Sequence, residues 1–199
     1  MIAAIVLAAG ASSRMGQAKA ALPLGPTGET VVSRVVRTLL DAGVPDVVVV
    51  AGAHIDAVLH AMPSHEPRAR VIEHHGWQQG QLSSLLAGLD AIDTPLLEAA
   101  MVTLVDVPMV SAATVSAVIR AWRQSRAPIV RPADGDRHGH PVIFDRAIFA
   151  DLRSADPEAG AKAVFAAYRD RIVNVDVKDP GAFEDIDTPE DYQKLRVES

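Results

Sequence analysis

The chain has 199 residues, 49% of them hydrophobic and 22% charged, with 19 Lys and Arg set against 25 Asp and Glu for a net charge of −6. An acidic balance of that size excludes a surface that coats nucleic acid and leaves only small local basic clusters for phosphate work, while the length suits one domain over residues 1–199 that buries about 70% of its unfolded surface. Cysteine is absent, which removes disulfides, thiolate metal sites and a cysteine nucleophile together.

Apolar runs of strand length alternate with segments of helical period, the mark of an α/β sheet covered on both faces. Residues 3–9 read as a buried strand. No Lys or Arg precedes this apolar opening, the first basic residue being Arg14, which argues against a secretory leader. Thr30 opens a helix with Val31, Val32, Val35, Val36, Leu39 and Leu40 on one stripe, closed by Gly43. Strands are expected at 47–51 and 70–73, with a short helix at 55–62 between them. Leu82, Leu85, Leu86, Leu89 and Ile92 then recur at helical spacing. A third strongly apolar strand covers 101–105, and Ser111 caps a helix that carries Val115, Val118, Ile119 and Trp122 inward. Strands at 129–131 and 142–144 flank a polar stretch, 132–141, too irregular for a crossover and read as a flap. Helices at 147–152 and 161–168, a strand at 172–175 and a last helix from Pro189 complete the chain. No apolar run nears the ~20 residues of a membrane span, so a cytoplasmic protein binding neither membrane nor nucleic acid is expected.

The first strand runs into Leu7-Ala8-Ala9-Gly10-Ala11-Ser12-Ser13-Arg14-Met15-Gly16-Gln17-Ala18-Lys19, a small-residue loop with two cations five positions apart. It is not a P-loop, since Lys19 lacks the preceding Gly and following Ser or Thr, and Gly10 lacks the partner two residues on that a dinucleotide fingerprint requires. The physics still suits a phosphate: small side chains let backbone N–H groups approach an anion, Arg14 can grip two oxygens and Lys19 adds a point charge. On the residues alone, a plain βα loop with two solvated cations is the competing reading.

Taken whole, the segment resembles the L-A-A-G-x-S-x-R-M-G-x-x-K signature of the molybdenum cofactor cytidylyltransferases, within the MobA-like nucleotidyltransferase superfamily. The resemblance continues through Trp77, Gly80 and Ser83-Ser84, Leu104-Val105-Asp106-Val107-Pro108, Gly139-His140-Pro141-Val142, Gly160-Ala161-Lys162 and Asp185-Ile186-Asp187-Thr188-Pro189-Glu190-Asp191, and so covers almost the whole chain. It implies a single-domain Rossmann-like nucleotidyltransferase fold, three-layered, with a mixed, mainly parallel sheet. The Leu-Ala-Ala-Gly form and the paired serines favour the cytidine branch over the guanine branch.

Asp106 follows a strand, and the carboxyl ends of strands are where open α/β sheets bind ligands. A carboxylate there suits Mg²⁺, which prefers one or two carboxylates plus triphosphate oxygens, and the resemblance implies that role; a turn residue before Pro108 is the alternative. Thr188 and Pro189 read as a helix start, and just before it the implied fold lets Asp185, favoured over Asp187, reach the metal from the other side. Ser83 and Ser84 either cap their helix or, as the resemblance implies, contact the base with Gly80; Trp77 reads as packing. His74-His75 and the pair His138 and His140 do not make a metal site, because adjacent strand residues point apart and no further ligands stand at recognised spacing. His140 is expected to shape the second-substrate pocket, with Arg131 and Arg137 either holding that substrate's phosphate or lying in a solvated flap.

The resemblance implies a Mg²⁺-dependent transfer of CMP from CTP to a phosphate monoester, molybdopterin, releasing pyrophosphate, with a molybdoenzyme apoprotein receiving the product. Leu7, Ala8, Ala9, Gly10 and Ser12 would line the nucleotide, Arg14 hold the β- and γ-phosphates, Lys19 the α-phosphate and Asp106 the metal. A different phosphorylated acceptor, or a nucleotide-binding carrier or reductase recruited from the same scaffold, are the alternatives.

Overall fold

The computed structural model describes residues 1–13, 15–26 and 28–198, the last three by their backbone only. Strand β1 (Ile2–Ala8) leads through two short paired strands, β2 (Pro23–Leu24) and β3 (Glu29–Thr30), into helix α1 (Val31–Asp41). Next come β4 (Val47–Ala51), α2 (Ile55–Ala61), β5 (Ala69–Glu73), α3 (Gln81–Ile92), β6 (Ala99–Leu104) and α4 (Ala112–Ser125). The second half holds β7 (Ile129–Asp134), β8 (Arg137–His138), β9 (Val142–Asp145), α5 (Phe149–Ser154), α6 (Ala161–Ala167), β10 (Ile172–Asp176) and α7 (Pro189–Glu198). Among the described residues, no helix is long and apolar enough to cross a membrane.

The main sheet runs β10-β7-β9-β6-β1-β4-β5, with β8 paired to β7. Strands β5, β4, β1 and β6 are mutually parallel, β9 is antiparallel to both of its neighbours, and β7 and β10 pair parallel. The continuous apolar sequences of β1 and β4 fit this arrangement, because both faces of each strand are covered. Alternation divides them: Ala4, Val6, Val47 and Val49 join a core closed by α1, α2 and α4, while Ala3, Ile5, Val48 and Val50 join one closed by α3, α5 and α6. The result is the expected three-layer α/β fold with a mixed, mainly parallel sheet.

Local chemistry sets the element ends. Thr30 Oγ1 accepts a hydrogen bond from the Ser33 N–H and Ser33 Oγ accepts one from the Thr30 N–H, a capping box that starts α1. Ser111 caps α4 by accepting from the Thr114 N–H, and the indole of Trp122 on α4 donates to Asp145 at the end of β9. The stretch 132–141 is a hairpin rather than an irregular flap: β7 continues to Asp134 and turns back into β8. Pro132 hides this in the sequence, yet it lies beyond the β9 pairing, which covers residues 129 and 130, so its missing N–H costs no bond to that strand. The helix expected at 147–152 opens instead as a 3-10 turn, Arg146–Ile148, because the Asp145 carboxylate accepts the Ala147 N–H; the α-helix follows.

Strand order reverses beside β1, with β4 and β5 on one side and β6 on the other, and the crevice at such a reversal is where open α/β sheets bind ligands. Helix α3 lies directly over this point because Gly88 lets it approach: a Cβ built there would stand 2.5 Å from Ile5 Cγ2. Gly88→Ala should therefore overpack the α3 side of β1 and cost about 1–3 kcal/mol. Urea denaturation should show a lower midpoint with an unchanged m-value.

Candidate functional site

The loop after β1 is folded on itself and tied to β4. Ser12 adopts a left-handed conformation (φ 49); its carbonyl accepts from the Met15 N–H at 2.9 Å and its hydroxyl oxygen from the Lys19 N–H at 3.2 Å. Ala53 N–H donates to the Ala9 carbonyl at 3.2 Å, and His54 Nε2 stands 2.9 Å from the Ala11 carbonyl oxygen. Leu7, Ala8, Ala9, Gly10, Ser12 and Lys19 thereby form one wall of a cleft of about 440 Å³, which Gly80, Ser84, Asp106 and Asp187 help to close. That volume is in the range of small-molecule sites. Arg14 lies outside the described residues.

Lys19 starts a 3-10 turn, Lys19–Ala21, and its side chain, 13% exposed, points into this cleft. Its Nζ donates to Asp187 Oδ1 at 2.6 Å and stands 3.5 Å from Asp106 Oδ2. The other oxygen of Asp106, Oδ1, is buried and has no hydrogen-bond partner among the described residues. Burial pushes the Asp106 carboxyl above its ordinary pKa; Lys19 pulls it down, and the charges of Asp185 and Asp187 push it further up. A buried carboxylate oxygen with nothing bonded to it is a donor suited to a hard divalent cation.

The three aspartates do not form a metal cage. Among the described residues, no three carboxylate or imidazole groups converge for one ion. Asp187 faces the cleft beside Lys19, whereas Asp185 is exposed and absent from its wall, although its charge is felt by both Asp106 and His140. Between the two, Ile186 is buried and donates its N–H to the Asp106 carbonyl at 2.8 Å, which fastens this segment beside Asp106.

Across the cleft, Trp77 packs against Gly52, where a Cβ would stand 2.7 Å from the indole, and also lines the opening. Gly80 (φ 100) leads into α3. The two serines part company: Ser84, 4% exposed, lines the cleft, while the Ser83 hydroxyl donates to the Gly80 carbonyl at 2.8 Å and meets His74 Nε2 at 3.0 Å. Ser83 is not part of the cleft wall. Its hydroxyl is committed to the local turn.

A second cleft of about 480 Å³ adjoins the first and shares Leu7, Gln81 and Leu104 with it. Its walls are apolar (Leu82, Leu85, Val142, Phe144, Phe165), with Arg131, His138, His140 and Lys162 as the basic groups. The Nδ1 of His140 is buried without a partner, and burial lowers its imidazole pKa against the raising effects of the Val102 backbone and the Asp185 charge. Arg131 and His140 thus reach the expected cleft. Arg137 does not: it is exposed on β8, pairs with Asp134 and lies over the Phe183 ring at 5.0 Å. His54, Gln81, Lys162 and Phe165 are cleft residues that the sequence did not single out for a role. Only the position of His54 just past a strand end, and of Lys162 in the quoted Gly160-Ala161-Lys162, could have pointed to them.

Segment 179–187 staples these parts together. The Asp179 carboxylate accepts from Ser111 N–H at 2.9 Å, Ser111 Oγ–H at 2.8 Å and Thr114 Oγ1–H at 2.6 Å. Gly181 fits against the Met109 carbonyl, which a Cβ would meet at 2.2 Å, and the Ala182 carbonyl accepts the His140 N–H at 2.9 Å. One stretch of backbone thereby sets the spacing of Asp106, His140 and Asp187.

The MobA-like NTP transferase domain matches residues 4–172. Nicotine blue oxidoreductase of Paenarthrobacter nicotinovorans is 34% identical, with 98% of this chain and 96% of the relative covered. A "Probable molybdenum cofactor guanylyltransferase" of Mycolicibacterium paratuberculosis is 34% identical over 69% of this chain and 66% of its own. Among solved structures, Rv0371c of Mycobacterium tuberculosis superposes with a TM-score of 0.82 at 28% identity, covering 100% and 98% of the two chains. Its complex with manganese gives 0.74 at 26% identity, covering 100% and 99%. A nucleotidyl transferase from Methanothermobacter gives 0.81 at 26% identity, covering 100% and 97%.

The staple makes a stability prediction. Burial raises the Asp179 pKa, but the hydrogen bonds from Thr114 and Ser111 outweigh it and hold the carboxyl below its ordinary value. A depressed folded-state pKa means that the stabilisation is full above the unfolded-state value near ~3.9 and is lost as pH falls through the folded-state value. Asp179→Ala should cost about 1–3 kcal/mol near neutrality. The difference in melting temperature between wild type and variant should shrink as the pH falls below about 4, which thermal melts across pH 3–7 will show.

Proposed function

The chain belongs to the MobA-like NTP transferase family, and we propose that it transfers CMP from CTP to a phosphate monoester seated in the second cleft. Molybdopterin is the acceptor that the family resemblance implies, and a molybdoenzyme apoprotein the receiver of the product. The observation that carries this reading is the join of the two clefts: Leu104, which both share, is two residues from Asp106, beside which the Lys19 ammonium is held. An acceptor entering from one cleft thus meets a nucleotide in the other at a fixed cation.

No protein nucleophile is required. A phosphate monoester has a second pKa near ~6, so at neutral pH its oxygen is largely unprotonated and attacks the α-phosphorus as the bond to the β-phosphate oxygen breaks and pyrophosphate leaves. The work of the protein is positioning and charge neutralisation. Asp187 and Asp106 fix Lys19 where the α-phosphate would lie, and the loop around Ser12 presents small residues to the rest of the triphosphate. Asp106, with its unpartnered Oδ1, is the residue that would hold a divalent cation, Mg²⁺ in this proposal, supplying further neutralisation of the phosphates; the manganese complex of the Rv0371c relative supports a divalent ion.

For the base, the buried Ser84, together with Trp77 narrowing the opening, favours a small ring edge, and the Leu-Ala-Ala-Gly form of the loop points the same way. The guanylyltransferase relative favours GTP instead. A hydrogen bond left unmade in the pocket is worth about 1–3 kcal/mol, so kcat/KM should favour CTP over GTP by roughly tenfold to a hundredfold. Equal values for the two nucleotides would defeat the cytidine assignment. The second reading, reductase chemistry, is favoured by the oxidoreductase relative. It predicts consumption of a reduced nicotinamide without release of pyrophosphate.

Asp106→Asn separates structure from chemistry. Because burial already disfavours its charge, neutralising this side chain should leave the melting temperature unchanged or raised. Pyrophosphate release should nonetheless fall by a factor on the order of 10² or more. Wild-type turnover by the variant across a magnesium titration would remove Asp106 from the mechanism.

A further inference from the structure

Among the described residues, Arg131 is a half-buried cation of the second cleft that makes no ion pair, although the exposed Glu158 lines the same cleft. Its Nε donates to Asn174 Oδ1 at 2.9 Å and its guanidinium lies over the Phe165 ring at 5.4 Å, but it pairs with no carboxylate among the described residues. Burial alone acts on its pKa, pushing it down, with no acidic neighbour pulling it back. A guanidinium held in a fixed place by a hydrogen bond and a ring, on the wall of a cleft whose charged groups are mostly basic, is complementary to an anion or a strong acceptor.

The sheet register sets Arg131 apart from the reacting phosphate. Arg131 stands on β7, two strands from β6 and level with Val102 rather than with Asp106, as the pairing of both strands with β9 shows. Strand rise and interstrand spacing put its Cα on the order of 15 Å from that of Asp106. Lys19 and Asp106 line the first cleft and not the second, while Arg131 lines the second and not the first. The attacking oxygen has to reach the α-phosphate beside Lys19, which leaves Arg131 at the far end of the acceptor.

We propose that the acceptor is two-ended, with its reacting phosphate at the join of the clefts, a flat apolar body against Phe165, and a second anionic or strongly accepting group bound by Arg131. Arg131 is then a specificity-determining residue for the acceptor and takes no part in the transfer itself. The proposal rests on the transferase reading for the identity of the near end. The far-end anchor is a property of the second cleft and is measurable without turnover.

The test uses two probes that differ at the far end alone, 2-naphthyl phosphate and 6-carboxy-2-naphthyl phosphate, titrated calorimetrically into the intact protein. Wild type should bind the carboxylated probe on the order of tenfold tighter, the effect of a charge-assisted bidentate contact. Arg131→Gln should abolish that difference while leaving CTP affinity unchanged, and Arg131→Lys should restore part of it. Equal binding of the two probes by wild type overturns the proposal, as does a preference that survives Arg131→Gln, or a loss in that variant that is the same for both probes. A tenfold preference in a protein that releases no pyrophosphate from any nucleotide would keep the anchor and sink the transferase reading.

Discussion

The site depends on one lysine held between two carboxylates that the chain supplies from far apart. Asp187, which accepts from Lys19 Nζ at 2.6 Å, is 168 residues away in sequence, and Asp106 comes from the middle of the chain. Bringing one cation and two anions together in a partly buried place costs desolvation, and their mutual attraction repays it only when the geometry is held. The structure holds it by backbone: the Lys19 N–H is fixed by Ser12, and the backbones of residues 106 and 186 are hydrogen-bonded to each other. The side chains inherit their positions from those ties. This explains why segment 179–187 is fastened at Ser111, Met109 and His140 before it arrives at the cleft.

The antiparallel strand β9 explains why there are two clefts rather than one. A continuous run of parallel strands would bring β7 and its loops directly beside β6, closing the crevice after a single site. Inserting β9 spaces β7 away and lets the Gly139-His140-Pro141 turn enter from the opposite direction, so that an apolar hollow opens between α3 and α6. The hollow and the first cleft meet at Leu7 and Leu104, which are register partners on β1 and β6. Topology therefore puts the join of the two sites at the point where strand order reverses, which is also where fixed backbone dipoles and strand ends converge.

What the sequence made legible follows from how local each signal is. Continuous valine and alanine runs announced β1 and β4, because strands buried on both faces have no polar side to show. Capping residues such as Thr30 and Ser111 act within four positions and were readable for that reason. Asp106 was accessible as the first acid past an apolar strand. Which of Asp185 and Asp187 lines the cleft was not, since the two stand one residue either side of Ile186 in a loop whose path is set by contacts far away in sequence. Nor was the division of Ser83 from Ser84, which one helical step of about 100° decides. Arg137 was grouped with Arg131 by proximity in sequence, but the hairpin that Pro132 conceals carries it out of the cleft. Lys162 and Phe165 belong to a short helix whose packing over β7 and β9 depends on the whole sheet order.

The same scaffold carries relatives named as an oxidoreductase and as a guanylyltransferase at equal identity to this chain, so the fold by itself does not choose the chemistry. The charges do. A reductase has no leaving pyrophosphate to neutralise and gains nothing from a buried carboxylate oxygen that is left without a partner. Such an oxygen costs on the order of 1–3 kcal/mol when nothing binds it, and isosteric replacement by an amide would relieve part of that cost. Its presence at Asp106, together with a lysine already positioned by a second acid, is the arrangement expected of a protein that binds polyphosphate and a cation in the same place. The half-buried guanidinium of Arg131 in the adjoining cleft follows the same logic under the proposed reading: in both places a charge short of partners stands where a ligand would complete it.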